Sequence, residues 1–242
     1  MSDYLYTAMS GALQSMTAQR IHANNLANID TNGFRRDMEN ADHFKVDGPG
    51  YQSTVHSRNQ APITDFTPGA LDQTGRDLDI AIKGSGLFTV IDDNGNEAYT
   101  RSGSITVDPE GVLRLGSMAL GGANGPIAVG EFQAINIGSN GTISVTLPGG
   151  GQANVGQLKL VNPPTTDLVK GQDGLFRTQT RDDAPEDLNV TVLSGHLEGS
   201  NVNAIEEMIA NMTTSRHFEI QVKAMKAADE NAQAGNRLVR GS

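Results

Sequence analysis

The chain has 242 residues and a mass of 25.6 kDa, enough for one large domain or two small ones. Its 28 acidic residues outnumber 18 basic ones, a formal net charge of −10 that argues against binding a nucleic-acid backbone or an anionic membrane surface. It holds no cysteine, so disulfides, thiolate metal sites and cysteine nucleophiles are excluded.

Hydrophobic residues make up 37%, lean for a self-contained core, while the 28 glycines exceed the usual share of about 7%. This predicts a turn-rich β body joined to segments that bury apolar faces against something else. No run approaches the ~20 apolar residues needed to cross a bilayer. The first basic residue is Arg20, so the basic start of a cleaved signal peptide is not expected. Taken alone, that pattern predicts a cytoplasmic location.

From Asp3 to Ile29 there is no proline, and Gly11 is the sole glycine. Leu5, Met9, Ala12, Met16, Gln19, Ala23 and Leu26 follow a 4-3 spacing, which predicts an amphipathic helix stopped by Asn32-Gly33. Between Tyr4 and Ile29 the one formal charge is Arg20, so the remaining face is poorly matched to bulk water. Phe34 to Pro68 reads as a connector with extended patches such as Tyr51 to His56. From about Leu71 to Leu193, short alternating runs are separated by turns at Asn94-Gly95, Asp108-Pro109-Glu110-Gly111 and Asn140-Gly141. Asn203 with Glu206 forms a capping-box pattern. Val202, Ile205, Ile209 and Met212 then mark an apolar stripe that Phe218, Val222 and Met225 continue with a small phase shift.

The expected fold is a mainly β body with long N- and C-terminal α-helices. The helices form a coiled-coil-like bundle, and the β body is an all-β sandwich or partly open barrel. The expected division is 1–33 helix, 34–70 connector, 71–193 β domain and 194–242 helix. Paired with each other, the two helices still leave apolar residues over, including Tyr4, Leu13, Ile21 and Met208. These predict association or disordered ends.

Residues with catalytic potential have simpler explanations. Asp92 to Glu97 lacks the spacing of a calcium loop, and an Asn-Gly hairpin accounts for it. Gly84-Ser85-Gly86 is an incomplete dinucleotide fingerprint and reads as a turn between strands. Asp77 and Asp79 could act as paired carboxylates, but an ion pair with Arg76 at a strand start explains them better. The five histidines show no metal-ligand spacing. Three glycosylation sequons, at Asn140, Asn189 and Asn211, carry little weight. Asn24, Asn25 and Asn28 near a helix end either bond to neighbouring chains or mark fraying toward the stop.

Four blocks carry a specific resemblance. Asn24-Asn25-Leu26-Ala27-Asn28-Ile29-Asp30-Thr31-Asn32-Gly33-Phe34-Arg35 resembles the N-terminal signature of the flagellar rod, hook and hook-associated proteins. Thr67 to Asp79 with Ala81-Ile82-Lys83-Gly84 resembles their middle motif. Tyr99-Thr100-Arg101-Ser102-Gly103-Ser104 with Val107-Asp108 does likewise, and Gly195 to Asn203 resembles the opening of their C-terminal helix. The starting Tyr4-Leu5-Tyr6-Thr7-Ala8-Met9, the stretch Val155 to Val161 and Arg216 to Lys223 are most similar to proximal-rod members. A distal-rod or hook-type axial protein is the alternative. The glycine-rich Gly149-Gly150-Gly151 matches nothing in the family pattern.

The resemblance implies a non-enzymatic structural subunit of the flagellar drive shaft that transmits torque, with its helices lining the inner rod wall and its β domain outside. It implies export through the flagellar type III apparatus without signal cleavage and a place in the periplasmic rod, reversing the cytoplasmic expectation. The implied partners are proximal and distal rod subunits, further copies of the chain, the export apparatus and surrounding ring proteins. No cofactor, metal, nucleic acid or direct membrane insertion is implied. Assembly roles are expected as burial for Leu5, Met9, Met16, Leu26, Ile205, Ile209, Met212, Phe218 and Val222. Polar interlocking is expected for Asn24, Asn25, Asn28, Asn201 and Asn203. Phe34 and Val202 belong to the same surface, and Gly33 reverses the chain if it adopts positive φ. A secreted β-sandwich binding module, the rival of a different class, needs exposed aromatics among Phe66, Phe88, Tyr99, Phe132 and Phe176.

Overall fold

The proline-free N-terminal segment forms α1 (Ser2–Ala27). It stops where the Asn28 amide N–H bonds the Asn25 carbonyl and the Asn28 side chain bonds the Asn24 carbonyl (2.9 Å), local bonds that compete with the helical ladder. In the computed structural model, described over residues 2–45, 55–59, 61–92 and 95–240, the chain divides into two units. One gathers Met1–Asn28, Arg36–Asp65 and Val202–Ser242; the other holds Ile29–Arg35 and Phe66–Asn201.

In the first unit, the segment after α1 forms short strands instead of a plain extended connector. β1 (Asp37–Met38) pairs with β4 (Ile63–Thr64), and β2 (Ala41–Lys45) pairs antiparallel with β3 (Val55–Asn59). Most of the Tyr51–His56 patch lies outside the described residues. α2 (Ala204–Arg240) begins at Asn203, whose Oδ1 accepts the amide N–H of Ile205 (3.0 Å) and of Glu206 (3.4 Å), satisfying donors that a helix start leaves open. α1 and α2 run antiparallel side by side, because Ser15 meets Gln221 while His22 and Asn25 meet Glu207.

The seam between these helices is built mainly of small residues, joined by Ile21. Ala12, Ser15, Ala18 and Ile21 are buried, and a Cβ added to Gly11 would lie 2.6 Å from the Gln221 side chain. One end of the seam is polar. Asn25, 0% exposed, donates to the Asp37 carbonyl (2.8 Å) and to Glu207 Oε1 (3.1 Å) and accepts the Asp37 amide N–H (2.9 Å). His22 Nδ1 lies 2.6 Å from the other Glu207 oxygen.

In the second unit, β5 (Leu71–Gln73) and β6 (Ile80–Lys83) lead into β7 (Leu87–Ile91), β8 (Glu97–Thr100), β9 (Ile105–Val107), β10 (Leu113–Leu115), β11 (Met118–Gly122) and β12 (Gly125–Pro126). Then come β13 (Ala134–Ile137), β14 (Thr142–Thr146), β15 (Gln152–Gln157), β16 (Leu160–Val161), β17 (Leu168–Lys170), β18 (Phe176–Thr178), β19 (Thr191–Ser194) and β20 (His196–Glu198). The main sheet runs β17-β18-β8-β7-β11-β10-β9, with β12 on β11 and β16 on β7. A second sheet runs β13-β14-β15, while β19 pairs with β6 and β20 with β5. The sheets do not close into a barrel.

Two of the expected turns are present. The Gly111 amide N–H bonds the Asp108 carbonyl (2.9 Å) at φ +82°, a conformation suited to glycine, and Asn140-Gly141 joins β13 to β14. Asn94 lies outside the described residues. The main core gathers Ile80, Ile82, Phe88, Val90, Ile105, Leu113, Leu120, Ile143 and Leu158. Ala81, between Ile80 and Ile82, is buried as well, so β6 is covered on both faces. A second cluster holds Leu87, Tyr99, Val161, Phe176 and Ala184, with Phe66 against Phe176 (ring centroids 5.1 Å).

Three carboxyls of this unit sit below the usual carboxylate range. The Arg114 guanidinium 2.8 Å away holds Asp108 down, Arg177 at 2.7 Å does so for Asp173, and bonds from the Asn189 backbone and side chain do so for Asp187. A carboxyl depressed in the folded state contributes stability that is full above its unfolded pKa, about 3.9, and is lost as pH falls through the folded value. The urea midpoint of this unit should therefore hold steady from pH 7 to 5 and decline below about pH 4. An unchanged midpoint at pH 3 would contradict this.

Candidate functional site

Large apolar residues of the helices face away from the seam. On α1, Tyr6, Met9, Leu13 and Met16 are exposed, Met9 at 44% and Met16 at 55%. On α2, Ile205 (69%), Met208, Ile209 (60%), Met212 (59%), Ile220 and Val222 (41%) are exposed. Full burial of one such side chain is worth about 1.5–3 kcal/mol, and contiguous apolar patches of this kind mark interaction surfaces.

The expected assembly residues fall into distinct settings. Met9, Met16, Ile205, Ile209, Met212 and Val222 are on the outward faces, while Leu26, Val202 and Phe218 are half-buried. The Leu5 side chain lies outside the described residues. Asn24 is exposed. Asn25 bonds within its own chain to Asp37 and Glu207, because its position on the seam side buries it. Asn28 bonds Asn24, and Asn203 caps α2. Ile21, expected among the leftover apolar residues, is buried.

The other three expected residues, Gly33, Phe34 and Asn201, converge in the second unit on a buried charge triad that periodicity does not predict. Glu198, 1% exposed, lies between two guanidinium groups. Arg35 Nη2 is 2.6 Å from Oε1, and Arg101 donates from Nε (2.8 Å) and Nη2 (2.7 Å) to Oε2. The Gly69 amide N–H donates to Oε1 (2.9 Å), and Arg101 also donates to the carbonyls of Gly84 and Gly86 (2.8 Å each). Burial lowers the Arg101 pKa, because it disfavours the charged form.

Gly33 sits at φ +70°, where an added Cβ would meet the Arg101 backbone at 2.3 Å, and its amide N–H donates to the Glu198 carbonyl (2.7 Å). Phe34 is buried beneath Lys170, whose Nζ lies 3.9 Å from the ring centroid and donates to the Arg35 carbonyl (2.6 Å). Asn201 donates from its side chain to the Thr67 carbonyl (3.1 Å) and from its backbone to the Phe34 carbonyl. Residues of all four sequence blocks thus meet around one carboxylate. That shared membership was the signal available in the sequence for Arg35, Arg101 and Glu198.

The residues that the rival chemistries need are placed as follows. Asp79 pairs with Arg76 (3.1 Å) as the ion-pair reading expects, and Asp77 is exposed. Phe88, Tyr99 and Phe176 are buried, and Phe66 and Phe132 are half-buried, so these five rings make no exposed aromatic platform.

Comparison with known proteins agrees with the arrangement. Residues 5–35 match the flagella basal body rod protein model, 81–145 the flagellar hook protein FlgE/F/G D1 domain, and 193–238 the flagellar basal body rod FlgEFG protein C-terminal model. The chain is similar to the flagellar basal-body rod protein FlgF of Escherichia coli, 39% identical over 99% of both chains, and to that of Salmonella typhimurium, 38% identical over 99% of both. It is also similar to the rod protein FlgG of Buchnera aphidicola, 30% identical over 97% of this chain and 98% of the relative.

Proposed function

The chain belongs to the flagellar basal-body rod protein family, a structural component of the basal body, and from that premise we propose that it is a proximal-rod subunit held in the shaft by its outward helix faces. The observation that carries this reading is the arrangement of α1 and α2. Apart from Ile21, their mutual seam uses small and polar residues, and most of their large apolar residues are left for neighbours. A contact between two different surfaces that does not close a ring propagates as a helical filament. Many such helix contacts in parallel resist torsion, which suits a torque-transmitting shaft.

Met9, Met16, Ile205, Ile209, Met212 and Val222 supply this buried area, with Leu5, Leu26 and Phe218 adding to it, and exposed Asn24 supplies polar contact. Gly33, Phe34 and Asn201 act within the second unit, and Val202 adds to the assembly surface. Partners are other rod and axial subunits and further copies of the chain, with ring proteins around them. The subunit reaches the periplasmic rod through the flagellar export apparatus, and its role is structural, without a reaction. The greater likeness to FlgF than to FlgG favours the proximal rod over the distal one.

The test is genetic. Cells lacking this chain should be non-motile, with basal bodies truncated at the rod. The full chain should restore both, and a chain lacking residues 2–28 should restore neither. Intact rods in the deletion strain would overturn the reading.

A further inference from the structure

Much of the seam between α1 and α2 does little to fix their alignment. On α1, Ala12, Ser15 and Ala18 are buried, and on α2 the half-buried residues include Ala210, Thr214, Ala224 and Ala228. Sliding α2 by four residues, about 6 Å, largely sets small side chains against small ones again, so packing there separates the two registers weakly.

The polar end of the seam is different. Asn25 is held by Asp37, accepting its amide N–H (2.9 Å) and donating to its carbonyl (2.8 Å), and it donates to Glu207 Oε1 as well (3.1 Å). Glu207, 5% exposed, accepts its other bond from His22 Nδ1 (2.6 Å). Both partners lie on α1, and residues three apart share a helix face. A slide of four residues takes the carboxylate out of reach of both. In one direction it then meets buried Ala18, which has no side-chain donor, and a buried carboxylate without donors is strongly disfavoured.

We propose that His22, Asn25 and Glu207 are positioning residues that lock the register of the helix pair. Buried polar contacts serve paired helices in this way, selecting one alignment at a cost in stability. The lock is a property of the pair itself and stands apart from the reading of the outward faces, although it decides which exposed residues of α1 and α2 lie side by side.

Because the chain holds no cysteine, engineered intrachain disulfides report the register. Ser15 Oγ lies 3.1 Å from Gln221 Oε1, so Ser15→Cys/Gln221→Cys marks the native alignment. Ser15→Cys/Met225→Cys and Ser15→Cys/His217→Cys mark a slide of one turn either way. In the full chain oxidised at low concentration, mass spectrometry should find the 15–221 disulfide at least about tenfold ahead of the others. Adding His22→Leu/Glu207→Leu should preserve helix content by circular dichroism while that lead shrinks to about threefold or less. Glu207→Gln, which can keep the hydrogen bonds, should retain the lead. The exchange Glu207→Asn/Asn211→Glu moves the carboxylate one turn along α2, and should move the dominant disulfide to the 15–225 pair.

A folded leucine chain that keeps the parent's lead overturns the proposal, and so does loss of the lead in Glu207→Gln. If the leucine chain loses its helices, the exchange chain decides: a dominant 15–221 disulfide there, or loss of helix content, overturns it.

Discussion

A chain carrying Met16→Glu and Ile209→Glu should fold normally and fail to enter the rod. Both side chains are more than half exposed in the isolated chain, at 55% and 60%, so circular dichroism and thermal midpoint should stay within the small range expected of surface changes, about 0.5 kcal/mol. In the assembly, each substitution removes burial worth about 1.5–3 kcal/mol and puts an unpaired carboxylate into an apolar contact. Together these reduce subunit affinity by at least about a hundredfold, since each 1.4 kcal/mol is a factor of ten. Swarming on soft agar and blotting of purified basal bodies read the result. Normal incorporation of a folded double variant would show that these faces are not the contacts.

The second large effect concerns the buried triad. Glu198→Ala leaves Arg35 and Arg101, 2% and 3% exposed, without their counter-charge. Breaking a buried pair from one side costs about 3–5 kcal/mol, a large part of a domain's whole stability. Urea unfolding should show that loss. By contrast, Asp173→Asn, which removes the more exposed Arg177 pair, should cost about 1 kcal/mol or less. Replacing all three members together with apolar residues of similar volume should recover most of the stability, because no uncompensated charge remains. A Glu198→Ala chain as stable as the parent would remove the triad from any structural role.

Helix existence, capping by Asn203 and the turns at Asp108–Gly111 and Asn140-Gly141 were legible because each depends on residues close in sequence. The hydrophobic stripe through Met9, Met16, Ile205 and Ile209 was legible too, yet it marks the outward faces. The intrachain seam of Gly11, Ala12, Ser15 and Ala18 escapes a search for large apolar residues, since small ones pack backbones closely without a hydropathy signal. Asn25 is ambiguous from its chemistry alone; Asp37 and Glu207, brought to it by folding, decide its role. Arg35, Arg101 and Glu198 are too far apart in the chain for any periodicity to link them. Likewise, β6 pairs with β19, a partner so distant in the chain that no local pattern links the two.

That late arrival has a consequence for how the polypeptide matures. A ribosome releasing this chain from its N-terminus has already delivered Arg35, Arg101 and the strand at Ile80–Lys83 long before it reaches Thr191–Ser194 and Glu198. Until then two cations lack their anion and β6 lacks its paired strand, so a nascent or interrupted product stays pliable and open to proteases. Completion of the β unit thus acts as a built-in proof that translation has passed residue 198.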